Sequence, residues 1–197
     1  MDESLAKIRH DRSIKDFPGL KLEEDEYVEY FFKRAKVCLR MIWGGTFVGL
    51  VIILLAFLLV LMGQSMLDDM GVNFLYIILF TLLAATFLIL MISLKIYSGN
   101  KLYITNKHVM QMVMDSPVIT SINIIDLASV EDASFRQDSF MQKLFKYGTF
   151  RLSTVGEETT YTFKYSDISP EELRAVTDLI TSAKEKMGKS AVAKAKS

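Results

Sequence analysis

Two long runs without a charged side chain constrain this chain more than any other feature of its sequence. They cover residues 41–62 and 72–94, and the short break between them contains Asp68 and Asp69. At about 1.5 Å rise per residue, each run would form a helix of about 33 Å, enough to cross a hydrocarbon core of about 30 Å. Two core helices of a soluble fold are disfavoured, because the rest of the 197-residue chain is too short to cover both. The sequence therefore predicts a transmembrane hairpin.

The charges beside the two runs predict the orientation of the hairpin. Cations precede the first run and follow the second, whereas the connecting loop has only aspartates; these cations are Lys33, Arg34, Lys36, Arg40, Lys95, Lys101 and Lys107. Because Lys and Arg in short flanks stay on the cytoplasmic side, both termini are expected in the cytoplasm. The first run is longer than the apolar region of about 7 to 15 residues in a signal peptide, so we expect a permanent, multi-pass anchor.

The composition excludes several classes of function. Lys and Arg number 23, Asp and Glu also number 23, and no block is basic enough to predict nucleic-acid binding. Cys38 is the only cysteine, which excludes an intramolecular disulfide and a cysteine metal cluster. The only histidines, His10 and His108, are far apart in sequence and give no basis for a metal pair or an acid–base dyad. We therefore expect no enzyme activity, no metal and no cofactor.

Residues 1–40 are expected to form a cytoplasmic N-terminal and juxtamembrane segment. Phe17-Pro18-Gly19 interrupts the chain, and an aromatic stretch over residues 27–32 then leads into the cations before the first run. Aromatic residues beside Lys and Arg are typical of a membrane interface, so one interpretation is an interfacial anchor. The other is that the stretch packs against the domain that follows the hairpin, and the two interpretations are compatible.

After the hairpin, residues 95–183 have the pattern of a small strand-rich domain. Apolar and polar residues alternate with period two, which predicts strands at 97–106, 109–114, 121–124, 150–154 and 161–165. A turn at 156–158 would join the last two. Ser169-Pro170-Glu171-Glu172 predicts a helix start with a capping box. The apolar face of that helix would contain Leu173, Val176, Ile180 and Ala183. Gly148 is expected at a position with positive φ.

Several of these segments resemble the bacterial pleckstrin-homology-like domains that follow a transmembrane hairpin. Residues 103–110 look like the strand-turn-strand opening of that family, 125–130 like its third-strand signature, and 144–150 like its leucine-rich turn before a late strand. Ser169-Pro170 is similar to the start of its closing helix. His108 departs from the family, which commonly has arginine there. The resemblance implies an α+β membrane protein, in which a bent antiparallel, partly open β-barrel of about seven strands follows the hairpin and a C-terminal α-helix caps it.

Two surfaces are candidates for contact with a membrane or a partner. The first is a short helical segment with apolar residues on one side and lysines at its edge: Phe140, Met141, Lys143, Leu144, Phe145 and Lys146. It is either a wedge that touches the inner leaflet or a plug that closes one end of the barrel. The second is the basic tail 184–197. It either binds an anionic leaflet, at about 1 kcal/mol for each lysine, or is a disordered, solubilising terminus.

Small residues within the two runs are candidates for helix packing. Gly45 and Gly49 are four residues apart in the first run, as are Thr81 and Ala85 in the second. Small residues at this spacing let helix backbones approach closely. They would pack the two helices of the hairpin against each other. The alternative is that two chains form a homo-oligomer, a dimer, through Gly45 and Gly49.

Together these features predict a non-enzymatic binding or scaffold module in a bacterial inner membrane. It would lie in the lipid bilayer through its hairpin and recruit a protein partner at the cytoplasmic face. One alternative is an anionic lipid headgroup-binding module, and another is a subunit of a larger membrane assembly whose strand edge recruits another chain. Residues 95–168 have no net charge, which favours a protein partner over an anionic lipid surface.

Overall fold

A computed structural model describes residues 3–63, 69–154 and 160–194. The elements in chain order are α1 (Glu3–Asp16), β1 (Val28–Lys33), α2 (Lys36–Gly63), α3 (Asp69–Gly99), β2 (Lys101–Thr105), β3 (His108–Met114), β4 (Thr120–Asp126), β5 (Val130–Arg136), α4 (Phe140–Leu144), β6 (Gly148–Thr154), β7 (Thr160–Ser166) and α5 (Pro170–Lys194). The predicted loop acid Asp68, the turn at 156–158 and Lys196 lie outside the described residues, as do the side chains of Asp69, Lys189 and Lys194.

The two uncharged runs form the two longest helices of the chain. Both α2 and α3 extend beyond the predicted spans 41–62 and 72–94, because the residues that flank each run continue the helix. Both are long and apolar enough to cross a membrane, with mean hydropathy of 2.9 and 2.8 in their most apolar windows, and neither window is buried inside the protein. Residues 97–99, predicted as strand, are the last turn of α3, and the strand begins at Lys101.

The close contact between α2 and α3 is made by only one of the four predicted small residues. A Cβ added to Gly49 would lie 3.7 Å from the Thr86 methyl group, whereas nothing lies within 4 Å of a Cβ at Gly45. Thr81 and Ala85 are exposed on the outside of the helix pair. Thr86 is one residue beyond Ala85, a rotation of about 100° around the helix, so the predicted pair faces away from α2. Homo-oligomerisation through Gly45 and Gly49 stays a prediction.

The aromatic stretch before α2 is a strand of the later domain. β1 pairs antiparallel with β2, and Phe31 lies opposite Tyr103 while Phe32 lies opposite Leu102. Phe32 is buried in the core, and Phe17 packs on Phe31 and Tyr103 on the outer face of the sheet. The expected packing of this stretch on the domain is confirmed. The predicted boundaries at residues 40 and 95 therefore separate a strand from the sheet to which it belongs.

The seven strands of the described residues form two antiparallel sheets with the orders β1-β2-β3-β4 and β5-β6-β7. A 3-10 turn at Leu127–Ser129 carries the chain from one sheet to the other. Within the described residues the sheets do not close into a barrel, although the Ala35 N–H donates to the Tyr165 carbonyl at 2.6 Å near one corner. Apolar side chains of both sheets and of α5 fill the space between them; fully buried examples are Phe150, Leu102, Ile104, Leu127, Leu152 and Val176.

The C-terminal helix begins as the sequence predicts. Ser169 and Glu172 form the capping box, because the Ser169 N–H donates to the Glu172 carboxylate at 2.8 Å and the Glu172 N–H donates to the Ser169 hydroxyl at 3.2 Å. The predicted apolar face packs on the core, with Val176 and Ile180 buried. α5 continues to Lys194, well beyond the predicted boundary at residue 183.

Gly148 is required by close packing and not by its backbone angles. Lys146 has the positive φ, 53°, two residues earlier. A Cβ on Gly148 would lie 2.5 Å from the Arg136 carbonyl oxygen and 2.7 Å from the Phe135 ring. The expectation of a positive φ at Gly148 is therefore wrong, because the turn before β6 is completed at Lys146 and the glycine is needed where β6 meets β5.

Candidate functional site

The strand β4 lies at the edge of its sheet and exposes apolar side chains. Ile122 and Ile124 are 57% and 61% exposed, whereas Ile125 is buried. Successive side chains of a strand point to opposite faces, so Ile125 fills the core and Ile124 points away from it. β3 pairs with one side of β4, and no described strand pairs with the other side. We call β4, with its exposed Ile122 and Ile124, the β4 edge.

The outer face of the sheet continues the apolar surface of the β4 edge. Met112 lies opposite Ile122, and Met110 lies opposite Ile124. On its other side, Met110 lies opposite Tyr103 of β2. Cross-strand neighbours on one face of a sheet contact each other, so these side chains form an apolar row that ends at β4. A strand added beyond β4 would extend this row.

The hairpin between β3 and β4 ends in an exposed apolar tip beside the last turn of α3. Val118 is 90% exposed, and Ile119 is exposed beside it. Met114, at the end of β3, packs so closely on Gly99 that a Cβ there would lie 2.6 Å from the methionine sulfur. The Asn100 side chain donates to the Met114 carbonyl at 3.0 Å. These contacts hold the tip next to the end of α3.

The short helix α4 carries the surface that the sequence predicts as a wedge or a plug. Ser139 caps α4 in a capping box with Gln142. The six side chains predicted to form this surface are all exposed: Phe140, Met141, Lys143, Leu144, Phe145 and Lys146. Phe140, at 77% exposed, is the most exposed of the apolar ones. A plug would bury these apolar side chains, whereas the structure exposes all of them.

Contacts that follow α4 place it close to the start of α2. Tyr147 is buried and packs with Ala35 and Val37, at the entry to α2. The Tyr147 N–H donates to the carbonyl of Gln142 within α4 at 3.0 Å. The α4 surface and the β3–β4 tip thus lie near the domain-proximal ends of α2 and α3 respectively.

A buried carboxylate, Glu26, holds the segment before β1 against the turn between β2 and β3. Its side chain is 0% exposed. The Thr105 hydroxyl donates to it at 2.6 Å, the Glu23 backbone N–H donates at 3.0 Å, and His108 Nδ1 lies 2.9 Å away. Burial alone raises the pKa of Glu26, but the hydrogen bonds from Thr105, Glu23 and His108 outweigh burial and hold the pKa below its ordinary value. Glu26 is therefore charged at neutral pH.

The two histidines meet around Glu26 although they are far apart in sequence. His10 Nδ1 lies 2.6 Å from the Glu26 carbonyl oxygen, on the opposite side of that residue from His108. Glu23, Glu26 and His108 bring ligand-type atoms within 4.8 Å of one another. These atoms already have protein partners, since Lys107 Nζ also lies 3.3 Å from Glu23. The arrangement is a hydrogen-bonded cluster that ties α1 and the following loop to the sheet.

Sequence reasoning did not identify the β4 edge or the buried Glu26. A signal for the first was present, because Ile122, Ile124 and Ile125 cannot all lie on one face of a strand. Glu26 gave no such signal, since it is the last member of an acidic run whose other members are exposed.

No family model matches the chain, and no curated protein matches it. Among solved structures, the chain is similar to a DUF1696 family protein with a pleckstrin-homology domain from Shewanella loihica, with 9% sequence identity and a TM-score of 0.32. The similarity covers 43% of this chain and 70% of that chain.

Proposed function

We propose that this protein is a non-enzymatic, membrane-anchored binding module whose pleckstrin-homology-like domain presents the β4 edge to a strand of a protein partner. The observation that carries the proposal is the exposure of Ile122 and Ile124 on a strand with no described neighbour on its outer side. Addition of a strand to a sheet edge gives main-chain hydrogen bonds for affinity and pockets for alternate side chains for specificity.

The composition of β4 supports a covered edge. Proteins protect exposed edges with lysine, with proline, with bulges or with very short strands. β4 has 7 residues without lysine or proline, and its only charged residue, Asp126, is the last. Its pairing with β3 is regular from end to end. Such an edge would aggregate if it stayed uncovered, so a partner is the simplest reason for it.

The anchor argues against a second copy of this chain as the partner. β2 starts at the end of α3 and runs away from it, β3 returns, and β4 runs away again. Antiparallel pairing of two β4 strands would place the two hairpins at opposite ends of the joined sheet. Both hairpins could not then lie in one membrane. A different protein, either cytoplasmic or another subunit of a membrane assembly, has no such restriction.

The α4 surface and the β3–β4 tip support a fixed position of the domain on the leaflet. Both are apolar and exposed, and they lie beside the ends of α2 and α3. Lys143 and Lys146 border the α4 surface, where they would meet anionic headgroups. In this arrangement the domain lies at the cytoplasmic face of a bacterial inner membrane, and the β4 edge faces sideways.

The orientation of the anchor is tested by labelling single cysteines in intact cells. With Cys38→Ser as background, we expect Asp69→Cys to react with an impermeant thiol reagent and Thr160→Cys to react only after lysis, because the cations that flank the hairpin favour the cytoplasm. Reaction at residue 160 but not at residue 69 in intact cells would show the opposite orientation and would contradict the proposal of a cytoplasmic partner.

Partner recruitment is tested by photo-crosslinking in native cells. A photoreactive phenylalanine analogue in place of Ile122 should give a discrete protein adduct, because this side chain would lie against the added strand. Ile124→Lys should reduce the yield of this adduct at least fivefold, since a lysine on an edge strand disfavours edge pairing. The matched control places the analogue at Phe140, which is more exposed than Ile122, at 77% against 57%, but lies on α4.

Three results would contradict recruitment at the β4 edge. One is the same protein adduct from residues 122 and 140, which indicates non-specific proximity. Another is an adduct at residue 122 that Ile124→Lys leaves unchanged. The third is an adduct formed with a second copy of this chain, which would replace the protein partner by self-association.

A further inference from the structure

An apolar groove runs along one face of the helix pair formed by α2 and α3. Three cavities follow one another along it from Phe57 and Tyr76 toward the domain, with volumes of about 460, 420 and 300 Å³. The first two are continuous, because they share the lining residues Leu50, Phe80 and Leu83. The third begins one helical turn beyond Thr46, at Ile42. Cys38 and Tyr97 line its domain-proximal end.

The polar side chains along the middle of the groove are already satisfied by their own helices. The Thr46 hydroxyl donates to the Ile42 carbonyl at 2.9 Å, and the Thr86 hydroxyl donates to the Leu82 carbonyl at 2.9 Å. Both threonines therefore offer methyl groups to the groove. An occupant of this part has to be hydrocarbon, because a polar group would find no hydrogen-bond partner there.

The domain-proximal end of the groove is different, because it carries the half-buried side chain of an arginine, Arg34. Arg34 lines the third cavity, and its Nε is buried without a hydrogen-bond partner among the described residues. The group lies over the Tyr165 ring at 5.6 Å, and the Tyr97 hydroxyl is already used in a bond to the Arg34 carbonyl. The carboxylate of Asp167 interacts electrostatically with Cys38 and Tyr97 at this end of the groove. Arg34 forms no ion pair within the described part of the chain.

We propose that this groove binds one phospholipid, with its phosphate on Arg34 and an acyl chain between α2 and α3. The half-buried Arg34 side chain has no described ion-pair partner, and the planar fork of donors of its guanidinium matches the oxygen atoms of a phosphate. The groove from Cys38 to Leu50 is about 18 Å long, close to the depth of about 15 Å for one leaflet. A phospholipid supplies both groups in the required order, and basic pockets between spanning helices bind lipid headgroups elsewhere.

The test is native mass spectrometry of the full-length protein in mild detergent, with phosphatidylglycerol as the added probe. We expect one bound lipid per chain. Arg34→Gln should weaken its retention about tenfold, which corresponds to about 1.4 kcal/mol, because the phosphate loses its charged donor. Arg40→Gln is the matched control, since Arg40 is an exposed arginine at the same end of α2, and it should retain the lipid as the wild type does. Helical circular dichroism checks that each variant is folded.

A second variant tests the groove independently of Arg34. Ser93 lines the third cavity, and Ser93→Phe would fill part of its volume, so lipid retention should also fall while the headgroup site keeps its arginine. Diacylglycerol, which lacks a phosphate, and inorganic phosphate, which lacks acyl chains, should each bind at least tenfold more weakly than phosphatidylglycerol.

The proposal is overturned by any of the following results. Equal retention by the wild type and Arg34→Gln would remove the phosphate contact, and an equal loss in Arg40→Gln would indicate general charge attraction. Diacylglycerol bound as well as phosphatidylglycerol would reduce the site to an apolar groove. The site would instead be one for a soluble anion if inorganic phosphate binds as tightly as the lipid. Its binding would then be weakened by Arg34→Gln but not by Ser93→Phe.

Discussion

Glu26→Ala is expected to lower the free energy of unfolding by about 3 to 5 kcal/mol, the usual cost of breaking a buried, hydrogen-bonded charge. The carboxylate is fully buried and accepts hydrogen bonds from the Thr105 hydroxyl and the Glu23 amide, and it lies against His108. Without it, the Thr105 hydroxyl, the Glu23 amide and His108 would lose their common partner, and the loop before β1 would separate from the β2–β3 turn. Urea denaturation of the solubilised protein, followed by circular dichroism of the strands, measures the loss.

The effect should depend on pH in a defined direction. The pKa of Glu26 in the folded protein lies below its ordinary value, so the carboxylate binds a proton less readily in the folded than in the unfolded chain. Its contribution to stability is therefore fully present above the unfolded pKa of about 4.3 and is lost as the pH falls through the folded pKa. The difference in stability between the wild type and Glu26→Gln should be constant from about pH 7 to about pH 5 and should shrink at lower pH.

Glu24→Gln is the matched control for the buried carboxylate. Glu24 belongs to the same acidic run but is exposed, so its replacement should change the unfolding free energy by less than about 0.5 kcal/mol. Equal effects of Glu24→Gln and Glu26→Gln would contradict the role of burial. A difference between wild type and Glu26→Gln that is the same at pH 7 and below pH 4 would contradict the lowered pKa.

Gly148→Ala is expected to destabilise the domain by about 3 kcal/mol, at the upper end of the cost of overpacking. The added methyl group would meet the Arg136 carbonyl oxygen at 2.5 Å and the Phe135 ring at 2.7 Å. The Arg136 carbonyl belongs to the backbone of β5, which pairs with β6 from Thr149 onward, so it cannot move without loss of sheet pairing. Tyr147 would shift as well and would weaken its packing on Ala35 and Val37.

Gly19→Ala provides the comparison, because nothing lies within 4 Å of a Cβ at that residue. Its unfolding midpoint should stay close to that of the wild type, and the midpoint of Gly148→Ala should fall well below it. If alanine is tolerated equally at both positions, the close approach of β6 to β5 is not a constraint on this fold.

Local patterns in the sequence predicted the elements that depend on neighbouring residues. The two helices follow from long apolar runs, because the α-helix is the regular structure in which a single segment satisfies its own backbone hydrogen bonds in an apolar environment. The start of α5 follows from Ser169, Pro170 and Glu172, whose side chains act within one helical turn. The alternation in β2, β3, β4, β6 and β7 predicted strands for a similar reason, since the period of two is a property of each strand alone. β5 was not predicted.

The sequence did not decide which face of each strand is buried or which distant segments pair. Its alternation predicted β4 as a strand, but only the position at the sheet edge exposes Ile122 and Ile124. The buried state of Glu26 depends on Thr105 and His108, about 80 residues later in the chain, and the exposure of α4 depends on Tyr147 packing at the entry to α2. Helix and strand periods thus come from the chain itself. The candidate sites come from contacts between segments on both sides of the hairpin, and these contacts exist only when burial of the common core brings the segments together.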